Sequence, residues 1–346
     1  MFDATFFIAG MILAWALVIG IRRWAQRARL VDMPNQRSMH RQATPRGGGA
    51  AIVTVGLVGI AVGSAVGLRP GWWVLGGYFA GSLVIVGVSL ADDIRGLPIG
   101  IRLVAHFLGA AVMVGGLGLG SGLLSGSLSG AAWLVLATAL LWTAGLTNAY
   151  NFMDGIDGLA ATQGLIAGLG WALLASVSHQ QWLALLAILV AAGCTGFLIH
   201  NWPPASIFMG DVGSAFLGFT FAFMTLAALP QTPQLALMGA LLVWPFIFDA
   251  VLAVLRRLLR GENIFIAHRS HLYQRLVLAG WRQDSVTVLY GLVALAIVAL
   301  DAVWLLVQSA PIGYFAVTLS LLLPLGVWAL VIRAERKLKR PSIPAH

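Results

Sequence analysis

Apolar runs of about 18–25 residues recur along the whole chain, separated by short stretches that hold nearly all of the charge. A helix rises about 1.5 Å per residue, so each run is long enough to cross roughly 30 Å of hydrocarbon. Eleven spans are expected: Thr5–Ile21, Ala50–Leu68, Trp72–Ala91, Ile101–Leu119, Ala131–Leu146, Gly158–Val177, Trp182–Ile199, Ser214–Leu229, Leu235–Leu259, Ser285–Val307 and Ile312–Ile332. Only helices and closed barrels satisfy their backbone groups in lipid. The pattern therefore predicts an all-α, polytopic integral membrane protein with about eleven transmembrane helices. No stretch reads as a separate soluble domain, so residues 1–346 are expected to form a single unit. The first run has no basic segment before it and no small-residue cleavage site, and reads as a retained span.

Charge fixes the orientation of this pattern. Twenty of the 21 Lys and Arg residues fall in odd-numbered loops or in the C-terminal tail; Arg69 alone falls on the other side. Basic residues collect on the cytoplasmic side of membrane proteins. The N-terminus is then expected on the outer (periplasmic) side, and the C-terminus and odd loops in the cytoplasm. The formal charge of +9 flanks spans and is not interleaved with aromatics, so anionic membrane lipid is the expected partner and nucleic acid is not. A 60% hydrophobic composition and a mean hydropathy of +0.91 exclude an ordinary soluble enzyme. The lone cysteine, Cys194, lies in an apolar run and permits no internal disulfide.

Acid is scarce, with 12 Asp and Glu in 346 residues, which makes its placement informative. Ionisable groups at membrane depth are costly and point to function. Asp92 and Asp93 end the third span; two adjacent carboxylates repel unless a cation is close. Asn151, Asp154 and Asp157 are spaced i, i+3, i+6, and share roughly one face if helical. Their oxygens suit a hard cation such as Mg²⁺. Asp211 opens the eighth span, where it is either an N-cap or part of a phosphate or metal site at a helix N-terminus. Arg46 precedes Gly47-Gly48-Gly49, whose N–H groups are candidates to cradle phosphate. His268, Arg269 and His271 in the ninth loop are candidates for a diphosphate. Asp249, after Pro245, either caps a broken helix or reaches the site, and the two readings stay open. All these residues except Asp249 lie in odd loops, which argues for one composite site built from about 22–49, 92–100, 147–157, 200–213 and 260–284.

These motifs, in this order, resemble the polyprenyl-phosphate N-acetylhexosamine-1-phosphate transferases (glycosyltransferase family 4). The resemblance runs from Asp32 to His271 through Asp32–His40 with Pro45–Gly49, Asp92-Asp93, Asn148 to Gly158, Asn201 with Phe208–Asp211, and the ninth-loop histidines. The stretch Ala267–Leu276 is similar to the WecA/WbpL-type enzymes that begin O-antigen synthesis. The family's His-x-His-His order is met only by His271, with Tyr273 and Gln274 at the later positions. His106 stands where an amide is expected.

The resemblance implies transfer of an N-acetylamino-sugar 1-phosphate from a UDP-sugar to undecaprenyl phosphate, with UMP released. The donor would be UDP-GlcNAc or a 6-deoxy sugar such as UDP-FucNAc or UDP-QuiNAc, in lipopolysaccharide or related envelope synthesis. It places Mg²⁺, for which Mn²⁺ could substitute, on Asp211, Asn151 and Asp154. It assigns catalysis to Asp92, Asp93 and Asp211. Substrate contacts fall to Asn35, Arg46, Arg102, Asn148, Asp157, Asn201, Phe208, His268, Arg269 and His271. Homodimers occur in the superfamily. The rival reading is an ion-coupled secondary transporter, which would place ionisable residues near mid-span in inverted repeats. Here the acids lie at span ends and no halves repeat.

Overall fold

The computed structural model describes residues 2–33, 43–122, 129–263 and 268–338. Among these, thirteen helices account for almost all regular structure. They are α1 (Phe2–Arg27), α2 (Ala50–Ala65), α3 (Trp72–Arg95), α4 (Ile99–Gly120), α5 (Gly130–Phe152), α6 (Leu159–Val177), α7 (Gln181–Asn201), α8 (Asp211–Ala228), α9 (Pro233–Leu242), α10 (Trp244–Leu259), α11 (Leu272–Leu278), α12 (Gln283–Val307) and α13 (Ala310–Leu338). Two short strands, β1 (Val31–Asp32) and β2 (Thr44–Pro45), pair antiparallel in the first loop.

Every expected span coincides with a helix or helix pair, with two corrections. Among the described residues nine helices are long and apolar enough to cross a membrane; α2, at 16 residues, is shorter. The expected ninth span is not one helix. It breaks at Val243 into α9 and α10, bent by 62°. Pro245 has no N–H to continue the α9 ladder, so the chain restarts as a new helix whose first turn tolerates proline.

Apolar patterning also sets which helices are central. The most apolar-facing windows of α7 and α8 are 78% buried, against 17% for α1 and 28% for α13. A bundle in lipid packs through close backbone approach at small residues. At Gly168 of α6 a Cβ would sit 3.0 Å from the Ala187 carbonyl oxygen of α7, and at Gly77 of α3 one would sit 2.8 Å from Cα of Gly116 in α4. Cys194 is buried in this core and unpaired.

The odd loops converge on one end of the bundle and are tied to one another. Loop one meets loop seven where Gly48 N–H donates to the Phe208 carbonyl (2.9 Å). Loop five meets loop seven through Gly158 N–H to Asn201 Oδ1 (2.9 Å). Loop nine meets loop five through Tyr273 O–H to the Phe152 carbonyl (3.0 Å).

Candidate active site

At that end a cavity of ≈ 520 Å³ opens between α3, α4, α5 and α10. Its wall is apolar at Val88, Ile99, Leu103, Phe107, Leu141 and Val254. Its polar groups come from four separate loops or helix ends: Arg102, Asn148 and Asn151, Asp211, and His268 with His271. The i, i+4 repeat that gave α3 and α4 their buried faces also brings Asp92 and Arg102 together across the turn at Pro98.

Arg102 is the electrostatic centre. Its Nη1 lies 3.1 Å from Asp92 Oδ2 and 3.3 Å from Asp211 Oδ2. Asp92 also accepts the backbone N–H of Leu97. The Asp92 and Asp211 carboxylates thus share one guanidinium nitrogen. Two like charges that close need a proton or a cation beyond one shared arginine.

Asp93 faces the other way. Its oxygens accept from Arg46 Nε at 3.0 Å and from Arg46 Nη2. They also accept the first two N–H groups of α8, Asp211 N at 3.0 Å and Val212 N at 3.2 Å. Gly210 lets the carboxylate this close, since a Cβ there would sit 2.6 Å from Oδ2. The α8 N-terminus is thus satisfied internally by Asp93, and Arg46 is engaged with it. Neither Asp93 nor Arg46 lines the cavity.

The triple glycine has a role different from the expected phosphate cradle. Gly48 and Gly49 already donate their N–H groups to the carbonyls of Phe208 and Met209. A Cβ at Gly49 would meet Gly213 Cα at 2.4 Å, so the glycines allow close packing against the start of α8.

In loop five, Asn151 donates its amide N–H to Ser214 Oγ (3.0 Å), which leaves its carbonyl oxygen as the remaining acceptor. Asn148 donates to the Ala144 carbonyl (2.8 Å). Asp154 is pushed up to about 8, first by burial and then by the charges of Asp211 and Asp93, with Arg46 opposing. Asp157 and Asn201, expected beside a nucleoside, make internal ties: Ala205 N–H donates to Asp157 Oδ2 (2.9 Å), and Asn201 Nδ2 donates to the Ile207 carbonyl (2.9 Å). Phe208 is half-buried outside the cavity lining.

In loop nine the His268 and His271 rings stack at 5.1 Å. Burial first, and then the charges of His271 and Arg257, lower His268 to about 4. Ser270 Oγ lies 2.7 Å from His268 Nδ1 and its N–H approaches at 3.4 Å. A neutral ring with Nδ1 accepting carries its proton on Nε2. Arg269 is half-buried and outside the cavity lining, and Asn35 lies outside the described residues.

Several residues that line the site were not among the expected contacts. Ser89, His106, Phe152 and Gln274 line the cavity. Tyr273 and Gln274, at the two positions where the motif has histidines, tie the loop down: Tyr273 to Phe152, and Gln274 Oε1 to the His271 N–H at 3.3 Å. His106 is 5% exposed beside Asn148, and its Nδ1 has no protein partner among the described residues.

The donor set can be tested against a divalent cation. Among the described residues no three His, Cys, Asp or Glu side chains are grouped as metal ligands. The oxygens of Asp211, Asn151 and Asp154 are hard donors, and the charges that raise Asp154, with Asp92 and Asp211 sharing one arginine, mark an excess of negative charge. The chemistry of these residues fits a hard cation.

Residues 75–229 match the family model described as glycosyl transferase family 4. Over 291 residues the chain is 30% identical to a probable undecaprenyl-phosphate N-acetylglucosaminyl 1-phosphate transferase of Bacillus subtilis, covering 82% of this chain and 80% of the relative. It is 32% identical to a decaprenyl-phosphate N-acetylglucosaminephosphotransferase of Mycobacterium leprae, covering 77% and 74%. A phospho-N-acetylmuramoyl-pentapeptide-transferase of Moorella thermoacetica is 34% identical over 50% of this chain and 53% of its own. With this coverage, the chain belongs to the polyprenyl-phosphate hexosamine-1-phosphate transferase family, as a multi-pass membrane transferase.

Proposed function

We propose that this protein transfers an N-acetylamino-sugar 1-phosphate from a UDP-sugar to undecaprenyl phosphate, as the first membrane step of O-antigen or a related envelope glycan. The reading places the site at the cytoplasmic face of the inner membrane. The observation that carries it is that Arg102, which bridges Asp92 and Asp211, opens into a cavity that combines polar groups with a stretch of apolar wall. An acceptor with a phosphate head and a long apolar tail needs that mixed lining.

The reaction balances simply. An oxygen of the lipid phosphate attacks the β-phosphorus of the donor, the bond from that phosphorus to the bridging oxygen breaks, and UMP leaves with that oxygen. A phosphate monoester has its second pKa near about 6, so at pH 7 the attacking group is already largely dianionic. No strong base is required. Positioning and charge neutralisation remain. Arg102 is set to bridge phosphates between Asp92 and Asp211. Asn148, Asn151, His268 and His271 supply neutral and polar contacts around the donor. His268 contributes an Nε2–H donor. Asp93 acts by holding Arg46 and the start of α8. Mg²⁺, with Mn²⁺ as a substitute, would be held by Asp211, Asn151 and Asp154 and would neutralise diphosphate charge there.

The names of the relatives support N-acetylglucosamine as the first sugar to test. A hydroxyl's presence or orientation separates UDP-GlcNAc from UDP-FucNAc and UDP-QuiNAc, and such choices depend on pocket contacts. The experiment is to incubate purified protein with undecaprenyl phosphate, Mg²⁺ and each labelled UDP-sugar in parallel. At least one is expected to give UMP and a labelled lipid. Failure of every sugar in the panel overturns the reading.

A further inference from the structure

Asp249 belongs to none of the family motifs quoted above. It sits in α10, just past the break in the ninth span, and is 1% exposed. A carboxylate buried that deeply is unfavourable unless hydrogen-bonded or paired. Its contacts run to the start of α11, to His271 just before it, and to α12. Oδ1 accepts the N–H of Leu272 at 2.7 Å and Oδ2 the N–H of Tyr273 at 3.2 Å. These are the first two N–H groups of α11, which a helix leaves without internal partners. Tyr290 of α12 donates its O–H to Oδ2 at 2.6 Å. Nδ1 of His271 lies 3.3 Å from Oδ1, close to the carboxylate but not aligned as a hydrogen bond.

His271 lines the cavity and Asp249 does not. Because Nδ1 is turned toward Asp249, ring geometry puts Nε2 on the opposite edge. Tyr273, anchored by the same carboxylate, stacks on His271 at 5.7 Å and donates to the Phe152 carbonyl. Asp249 therefore joins α10, α11, α12 and loop five behind one wall of the site. A carboxylate behind one imidazole nitrogen sets which nitrogen faces the substrate and how the ring is held.

We infer that Asp249 is a positioning residue of the transfer reaction, acting through His271 to hold Nε2 toward the diphosphate of the UDP-sugar. This rests on the proposed function, in which His271 contacts the donor. Asp249 touches no reacting atom. Its contribution is the placement of a ring that does.

A double-mutant cycle tests it. Asp249→Asn keeps the shape but turns an amide N–H toward groups that are themselves donors. Alone, D249N is expected to lower kcat/KM for the UDP-sugar by roughly 10- to 100-fold. The acceptor KM should change less than the donor term, because the proposed function gives His271 a contact to the donor diphosphate. In a His271→Asn background, D249N should cost no more than about threefold further, since coupled residues are non-additive. If D249N does not elute as folded protein, Tyr290→Phe carries the same test. It removes only the 2.6 Å hydrogen bond to Oδ2. It should lower donor kcat/KM about threefold in the wild-type background and not at all in H271N.

The outcomes separate cleanly. A wild-type protein that makes no lipid product from any donor overturns the proposed function. Active wild type with an unimpaired H271N overturns the role of His271, and this inference with it. An impaired H271N, combined with a harmless D249N or with losses that multiply, overturns the positioning role alone.

Discussion

Asp92 and Asp93 are sequence neighbours with separate tasks, and the reason is distance along the chain. Asp92 meets Arg102, ten residues on, while Asp93 meets Arg46 and the backbone of Asp211, 47 and 118 residues away. Scarce acid at a span end was legible in the sequence, and the family resemblance assigned catalysis to both, but those remote partners were not legible. The same holds for Asp157 and Asn201, whose ties to Ala205 and Ile207 cross or close loops. The difference predicts opposite responses to neutralisation. Asp211→Asn should lower turnover by at least about 100-fold, as expected for a charged group at the reacting phosphates. It should leave Tm unchanged or higher, because it relieves repulsion with Asp92. Asp93→Asn should lower Tm, because it leaves Arg46 without its carboxylate and turns an amide donor toward the α8 N–H groups. Parallel assays of UMP release and thermal unfolding check both; near-normal turnover of D211N contradicts its assignment. His268 gives a pH prediction. Its folded-state value of about 4 lies below the ordinary 6.5, so between these values the unfolded chain takes up a proton that the folded chain refuses. That contribution to stability is complete above about pH 6.5 and is lost as pH falls toward 4. The Tm of His268→Gln should therefore fall less than that of wild type over this interval. Equal slopes would show that the ring is not held neutral.

At the scale of elements, helix existence was readable and helix continuity was not. An apolar run announces a span, but Leu235–Leu259 contains no polar break at Val243. Only Pro245 hinted at the 62° bend between α9 and α10. The bend matters because it carries Asp249 to the first turn of α11. Loop five shows a second effect that the sequence hid. Gly155 stands between two aspartates, Asp154 and Asp157. In the fold it makes room for the Tyr273 hydroxyl, and a Cβ there would lie 2.0 Å from that oxygen. Gly155→Ala must push Tyr273 away, breaking its hydrogen bond to Phe152 and disturbing the ring stacked on His271. Such overpacking typically costs about 1–3 kcal/mol. A lowered Tm and lowered UMP release are expected. Tyr273→Phe in the same protein should restore part of the stability by removing the clashing oxygen, though the ring carbon at 2.9 Å keeps the rescue incomplete. A G155A protein as stable and active as wild type would show that loop five and α11 are not locked together.

For the whole molecule, the distribution of Lys and Arg carried the most structural information of any sequence feature. It grouped the odd loops before any contact between them was visible, and the fold ties loops one, three, five, seven and nine to one another. The opposite end shows the complementary pairing, where Gln180 of loop six meets Gln231 of loop eight at 3.3 Å. The proposal that the odd-loop end faces the cytoplasm rests on charge alone, and labelling tests it. The single natural cysteine is fully buried, which leaves a silent background for a membrane-impermeant maleimide. Arg282, whose side chain is 81% exposed, marks loop nine; Gln231, also exposed, marks loop eight. Neither lines the cavity. Twenty of 21 basic residues on one side should overwhelm the single Arg69 on the other. Arg282→Cys should therefore be labelled in inside-out vesicles and protected in intact spheroplasts, and Gln231→Cys should show the reverse. Reversal of both patterns would invert the molecule and put the proposed UDP-sugar site on the face where cytoplasmic nucleotides do not reach. Labelling of both residues from one side would mean that the bent α9–α10 pair, which lies between them, does not cross the bilayer.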